Sequence, residues 1–201
     1  VLNASITLPL ANRYLWPSLV VALLLSLVFI LPKPFLSGLL FERDALDAGQ
    51  LWRLISGQFI HLTLTHLILN IAGVMLIWLL FAEHTASWRY LWLLPLLALG
   101  SSTGMWLFAP QIANYVGFSG VLYGLFTWGA LQDVMQRQPF ARVLLFVIIA
   151  KASYEFIFSP LQFTPISANP LATAAHFFGV FSALLIGGIH YLFCGKLHRN
   201  T

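Results

Sequence analysis

Apolar residues fall along the chain in six long blocks, at 14–31, 62–82, 90–108, 119–134, 141–158 and 171–193. The blocks are continuous. Membrane barrels need strict alternation of apolar and polar positions, so strands are not expected to span. A helix needs about 20 apolar residues to cross a bilayer. The fourth block is short for that, and its length suits a helix whose N-terminus stops inside the protein. The pattern predicts an all-α polytopic membrane protein, a six-transmembrane-helix bundle in which residues 1–201 form a single membrane domain. No internal repeat and no low-complexity segment interrupts it. Between the first two blocks, residues 32–61 form a long connection of mixed charge (FERDALDAG) that ends in QLWRLISGQF. Its aromatic and apolar content predicts a position partly in the membrane interface. The connection 159–170, SPLQFTPISANP, has three prolines and no charge. It reads as a cap that must move to admit a substrate.

Composition supports the membrane assignment. The chain is 60% hydrophobic and 8% charged, whereas a soluble domain carries about 25% charged residues. The net charge of +4 is too small to imply a nucleic-acid partner; the surrounding partner is membrane lipid. Position matters more than sum. Arg13, Arg89, Arg137, Arg142, Lys196 and Arg199 flank one face, and Lys33, Arg43 and Arg53 the other. The positive-inside rule then places both termini in the cytoplasm. The first block is followed by LPKPFL rather than a small-x-small cleavage site, so it reads as a retained span. Cys194 is the only cysteine; it forms no internal disulfide and does not report the compartment.

This topology assigns a depth to each polar residue. The second, fourth and sixth spans run from the outer side inward. His66 and Asn70 lie near the outer end of the second, four residues apart and so on one face. Ser119 opens the fourth span in the stretch GFSGVLYG. His176 lies about a turn and a half into the sixth. Four polar side chains of uncommon type thus gather at one depth. Such groups stay in a membrane where they bond each other, line a wet cavity or do chemistry. One reading is interhelical glue. The other is nucleophilic catalysis. A serine needs a base, most often His, and the intermediate's oxyanion needs donors, which Asn, His and backbone N–H groups supply. A helix N-terminus at Ser119 adds free N–H groups and a positive dipole end. No Asp or Glu is near these residues in sequence, so the base is expected to be a dyad member oriented by packing. Tyr123 follows Ser119 by one turn and can cover the His176 ring. Gly120 and Gly124 on the fourth span, and Gly179 and Ala183 on the sixth, are spaced for close helix contact.

Other polar residues invite competing readings. His61 and His66 are five apart, not on one helical face, and no H-E-x-x-H occurs, so no metal is implied. His61 reads as structural or interfacial, with a role beside the site as the alternative. Lys151 and Glu155 are four apart inside the fifth span. They form either a mutual ion pair facing the interior or a polar contact for a substrate. Asp133 and Arg137 read as a solvated pair at the inner end of the fourth span. His84, His190 and His198 fall near the inner side and receive no role.

The chain resembles the rhomboid family of intramembrane serine proteases. GFSG at 117–120 is similar to the family's G-x-S-G, HLILN at 66–70 to its H-x-x-x-N, and AHFFG at 175–179 to its A-H-x-x-G. Trp52-Arg53 resembles its W-R pair, and Tyr123 its aromatic after the nucleophile. The usual E-x-x-x-G after the second helix is half present, with Glu83 and then Ser87; Ala183 stands where many members have glycine. The resemblance covers residues 50–193 in the expected order. It implies Ser119 as nucleophile, His176 as general base and acid, and His66, Asn70 and the backbone at Gly117 and Ser119 as oxyanion donors. It implies no cofactor. The compact size and the LWRLISGQFIHL entry are similar to rhombosortases, bacterial rhomboids implied to process proteins bearing a C-terminal Gly-Gly tag, a transmembrane helix and a basic tail. The implied protein is an inner-membrane endopeptidase that cuts a transmembrane substrate near the outer face, releasing the acyl-enzyme to water or, in a sortase-like variant, to an amine. The alternatives are a non-catalytic binder of transmembrane helices and a small transporter. Retention of both Ser119 and His176 weighs against the first, and the lack of inverted repeats against the second.

Overall fold

The computed structural model describes residues 8–158 and 170–197. The proline-rich connection expected to act as a cap lies outside the described residues, except for Pro170, as do His198 and Arg199. The long helices are α1 (Asn12–Phe29), α5 (Leu64–Thr85), α6 (Trp88–Phe108), α7 (Ser119–Met135), α8 (Ala141–Phe158) and α9 (Pro170–Leu197). Each corresponds to one apolar block of the sequence. Local chemistry sets the ends. Thr63 has extended backbone, and its hydroxyl accepts from the backbone N–H of His66. That cap starts α5 just after Leu62 and places His66 in the first turn.

Among the described residues, four helices are long and apolar enough to cross a membrane: Asn12–Phe29, Leu64–Thr85, Tyr90–Phe108 and Thr173–Leu192. The other two differ for identifiable reasons. α7 has 17 residues, about 26 Å at 1.5 Å per residue and short of a roughly 30 Å hydrocarbon core. α8 carries Arg142, Lys151 and Glu155. The bundle is apolar on its outside. Leu23, Leu27, Leu69, Leu96, Phe146 and Leu185 are all at least half exposed, while Ser18, Gln58, Asn70, Ser101, Ser102 and Thr127 are buried. Water would not tolerate that exterior over so large an area, whereas lipid does.

α7 is the hub. It packs against α5, α6, α8 and, most extensively, α9. Small residues let α7 and α9 touch backbone to backbone. A Cβ on Gly179 would lie 2.0 Å from the Gly120 carbonyl oxygen, and a Cβ on Gly124 would lie 3.0 Å from the Gly179 carbonyl oxygen. Ala183 is fully buried one turn further along, in the cluster that holds Leu97, Val121 and Leu125. Gly179→Ala must therefore push two backbones apart. It is expected to destabilise the protein by about 1–3 kcal/mol, the usual cost of overpacking. Unfolding in mild detergent measures this, and an unchanged midpoint would contradict the contact.

The connection between α1 and α5 is folded rather than merely interfacial. It contains α2 (Lys33–Ser37), β1 (Phe41–Glu42), α3 (Arg43–Asp47), α4 (Arg53–Ser56) and a 3-10 turn at Gly57–Phe59. β1 pairs antiparallel with β2 (Asn114–Tyr115), with Phe41 opposite Tyr115. The expectation of helices alone is thus corrected by one two-residue ladder, too short to show as alternation in sequence. Two arginines hold the connection. Arg43 donates to the carbonyls of Met105, Trp106, Ala109 and Ile112, tying the connection to the last turn of α6 and the loop that follows it. Arg53, only 6% exposed, donates to Gln50 Oε1 and to the carbonyls of Ser37 and Leu40. The Trp52 indole donates to the Gly38 carbonyl. The W-R pair therefore staples the connection that carries β1, and β1 fixes the approach to α7.

Candidate active site

Three long helices, α5, α7 and α9, begin at the end of the bundle where β1 and β2 pair. Ser119 is the first residue of α7. Gly117, two residues earlier, has φ +128, a conformation that only glycine adopts without strain. A Cβ there would lie 2.5 Å from the His66 ring. The chain can turn sharply into α7 only because position 117 has no side chain. Phe118 is fully buried and packs its ring against Phe59 at 5.3 Å, which anchors the turn. No side chain caps α7, so its first-turn N–H groups point out of the helix end beside Ser119.

From α9, His176 Nε2 lies 3.0 Å from Ser119 Oγ. Tyr123, one turn along α7 from Ser119, stacks flat on the His176 ring, with centroids 3.9 Å apart and planes 4° apart. Serine and imidazole are therefore within hydrogen-bond reach, and the ring is clamped against rotation.

The expected packing is not the whole of that clamp. Lys151 on α8 donates to Glu155 Oε1 at 2.6 Å and to the Tyr123 hydroxyl. Lys151 and Glu155 thus pair with each other, although the Lys151 side chain is half exposed and does not face the interior. The base is expected to be oriented by packing alone, and here Glu155 Oε2 also lies 3.6 Å from His176 Nδ1. Sequence distance hid it: α8 and α9 are adjacent in space, and Glu155 faces the ring from the next helix.

On α5, His66 and Asn70 both face this end. The Asn70 side-chain amide donates to the His66 carbonyl at 3.1 Å and lies 3.0 Å from His61 Nε2. His61 is a buried structural residue beside the site. It is 1% exposed, and its ring meets that of His66 edge-on at 4.9 Å. Burial, and then the neighbouring His66, push its imidazole down to about 4. It is thus neutral, with Nε2 accepting from Asn70. Such a histidine weakens the fold in acid. The unfolded chain takes up a proton near pH 6.5 that the folded chain refuses until about pH 4. Its contribution is fully present above pH 6.5 and is lost as pH falls through that window, a loss on the order of 3 kcal/mol. His61→Gln, which keeps an acceptor but does not titrate, should flatten the profile of unfolding midpoint against pH between 6.5 and 4. Identical profiles for the two proteins would contradict this assignment.

Several participants escaped the sequence reading. Tyr115 donates to the Gly117 carbonyl at 3.0 Å and lies 3.3 Å from Ser119 Oγ. Burial pushes its phenol up to about 12, so it stays a protonated donor. Gln58 donates to Ser102 Oγ at 3.0 Å and Ser101 Oγ at 3.4 Å, and Ser101 donates to the carbonyl of Ala175, next to His176. The adjacent serines of α6 lie at the same depth as Ser119, the signal by which they could have been found. At the opposite end, Asp133 meets His84 at 2.7 Å. The expected Asp133–Arg137 pair is replaced because α7 ends at Met135 and Arg137 turns away with φ 59. Among the described residues no group of three His, Cys, Asp or Glu is placed to hold a metal.

This arrangement can pass a proton from a serine to an imidazole beside free backbone N–H groups, inside a bundle with an apolar exterior. The family model described as Rhomboid domain matches residues 48–193. Comparison with curated proteins gives no match.

Proposed function

The chain belongs to the rhomboid family, and we propose that it is a serine-type intramembrane endopeptidase working through Ser119 and His176. The observation that carries this reading is the 3.0 Å approach of His176 Nε2 to Ser119 Oγ at the N-terminus of α7. Ser119 Oγ adds to a peptide carbonyl of a substrate helix that has unwound locally, and its proton passes to His176 Nε2. The oxyanion that forms is held by backbone N–H groups at the start of α7, by His66 and by Asn70. His176 then gives the proton to the leaving amine, and water releases the acyl-enzyme.

In this reading all six long helices span the membrane. α7 starts below the surface, so 17 residues suffice, and the charges of Lys151 and Glu155 are tolerated inside because they neutralise each other. Both termini are cytoplasmic and the site lies near the outer face of a bacterial inner membrane. The substrate class proposed is that of rhombosortases, proteins with a C-terminal Gly-Gly tag, a transmembrane helix and a basic tail. The support is the LWRLISGQFIHL segment. Two reporters reconstituted with the protein in liposomes test it, one carrying the tag and one a generic transmembrane helix. Preferential cleavage of the tagged reporter is expected. Equal or opposite preference would reject the subfamily, and cleavage of neither would count against the protease.

A further inference from the structure

The His176 ring has two nitrogens with different neighbours. To accept the Ser119 proton, Nε2 must be unprotonated, so the neutral ring carries its hydrogen on Nδ1. That N–H is buried and has no hydrogen-bond partner among the described residues. Opposite it, at 3.6 Å, stands Glu155 Oε2, also buried and also without one. A buried donor and a buried acceptor left unpaired are each costly. Here they face each other, and a few tenths of an ångström would join them. Active-site hydrogen bonds often close by such amounts when a substrate binds. The other carboxylate oxygen is held by Lys151 at 2.6 Å. The same ammonium binds the hydroxyl of Tyr123, whose ring covers His176. Lys151 thus ties together the two groups that set the position of the imidazole.

We propose that Glu155 is the positioning carboxylate of a Ser119–His176–Glu155 triad, with Lys151 holding both Glu155 and Tyr123 against the His176 ring. This rests on the protease reading above. As Ser119 Oγ bonds to the carbonyl carbon, its proton moves to Nε2 and the ring becomes an imidazolium. Glu155 accepts the hydrogen bond from Nδ1–H and stabilises that cation without taking its proton. The proton leaves from Nε2 to the amine nitrogen as the C–N bond breaks. Glu155 touches no reacting atom; it acts through His176, fixing the tautomer and the ring direction.

The sign of its effect on pH dependence follows from charge. Facing His176 are Ser119 and Tyr123 from α7 and Lys151 and Glu155 from α8, with uncharged Ser101 of α6 at the adjoining turn. His66 of α5 and Tyr115 of β2 stand beyond, at Gly117 and Ser119. An anion beside His176 favours its protonated form, and a cation beside that anion moderates the effect. Glu155→Gln should move the acid limb of kcat/KM to lower pH, and Lys151→Met should move it to higher pH. A merely structural defect has no reason to move the limb in opposite directions. Kinetics of a transmembrane reporter in liposomes, with thermal midpoints recorded alongside, give the test. For Glu155→Gln a fall in kcat of roughly 10–10³-fold with KM nearly unchanged is expected, below the roughly 10⁴ seen where the carboxylate is fully buried and closely bonded. Glu155→Asp should recover part of it. An unchanged kcat, or a loss of kcat with an unmoved acid limb, would overturn the triad and leave the protease reading standing. If Glu155→Gln does not fold, the limb of Lys151→Met decides, and an unmoved limb overturns the proposal. A wild-type protein that cleaves nothing counts against the protease reading itself.

Discussion

Ser119→Ala is expected to abolish cleavage of a transmembrane reporter, lowering the rate by roughly 10⁴-fold or more, while leaving the unfolding midpoint almost unchanged. The hydroxyl is small and partly exposed, and among the described residues it bonds only within the site, to His176 and Tyr115. Little of the fold depends on it. His176→Ala should cost as much activity, because a serine without a base is a poor nucleophile at neutral pH. The double variant should be no worse than either single one, since residues acting as a unit are not additive. This last comparison is informative. Two independent structural lesions would compound, whereas the loss of two members of one proton-transfer pair would not. His176→Ala also removes the ring under Tyr123, so it should be the less stable of the single variants.

The second large effect is expected at the oxyanion. His66→Ala should lower kcat by roughly 10²–10³-fold with little change in KM, the range for removing one oxyanion donor. Asn70→Ala should cost less, about 10–10²-fold. The difference comes from the Asn70 amide, which already donates to the His66 carbonyl and pairs with His61. It must release one partner before it can serve the oxyanion. His66 has its ring against Gly117, at the turn into Ser119. A raised KM with normal kcat in either variant would instead place that residue in substrate binding.

Much of the architecture is legible in the amino-acid sequence because lipid imposes a simple rule. Backbone groups must be satisfied within the segment, so each apolar block becomes a helix, and all six do. The depth of Ser119, His66, Asn70 and His176 follows from the direction of each block, and the structure brings these residues to one end. Tertiary contacts were not legible. Glu155 lies 21 positions from His176 and reaches it only because α8 packs beside α9. Tyr115 reads as an ordinary loop aromatic until β2 pairs with β1. Arg43 reads as one charge in a mixed loop, although it donates to four carbonyls of the last turn of α6 and the loop after it. His61 reads as structural or interfacial, and only the folding of residues 32–61 buries it beside His66 and Asn70. In each case the missing information was which element lies next to which, and periodicity does not carry that.

The central claim is that Ser119 is a nucleophile activated by His176. The most direct measurement is covalent labelling of the folded, detergent-solubilised protein with a fluorophosphonate, followed by mass mapping. One adduct is expected, on the peptide containing GFSGVLYG, at Ser119, with labelling lost in Ser119→Ala and strongly slowed in His176→Ala. Absence of an adduct in folded protein, or an adduct that persists in Ser119→Ala, would contradict it.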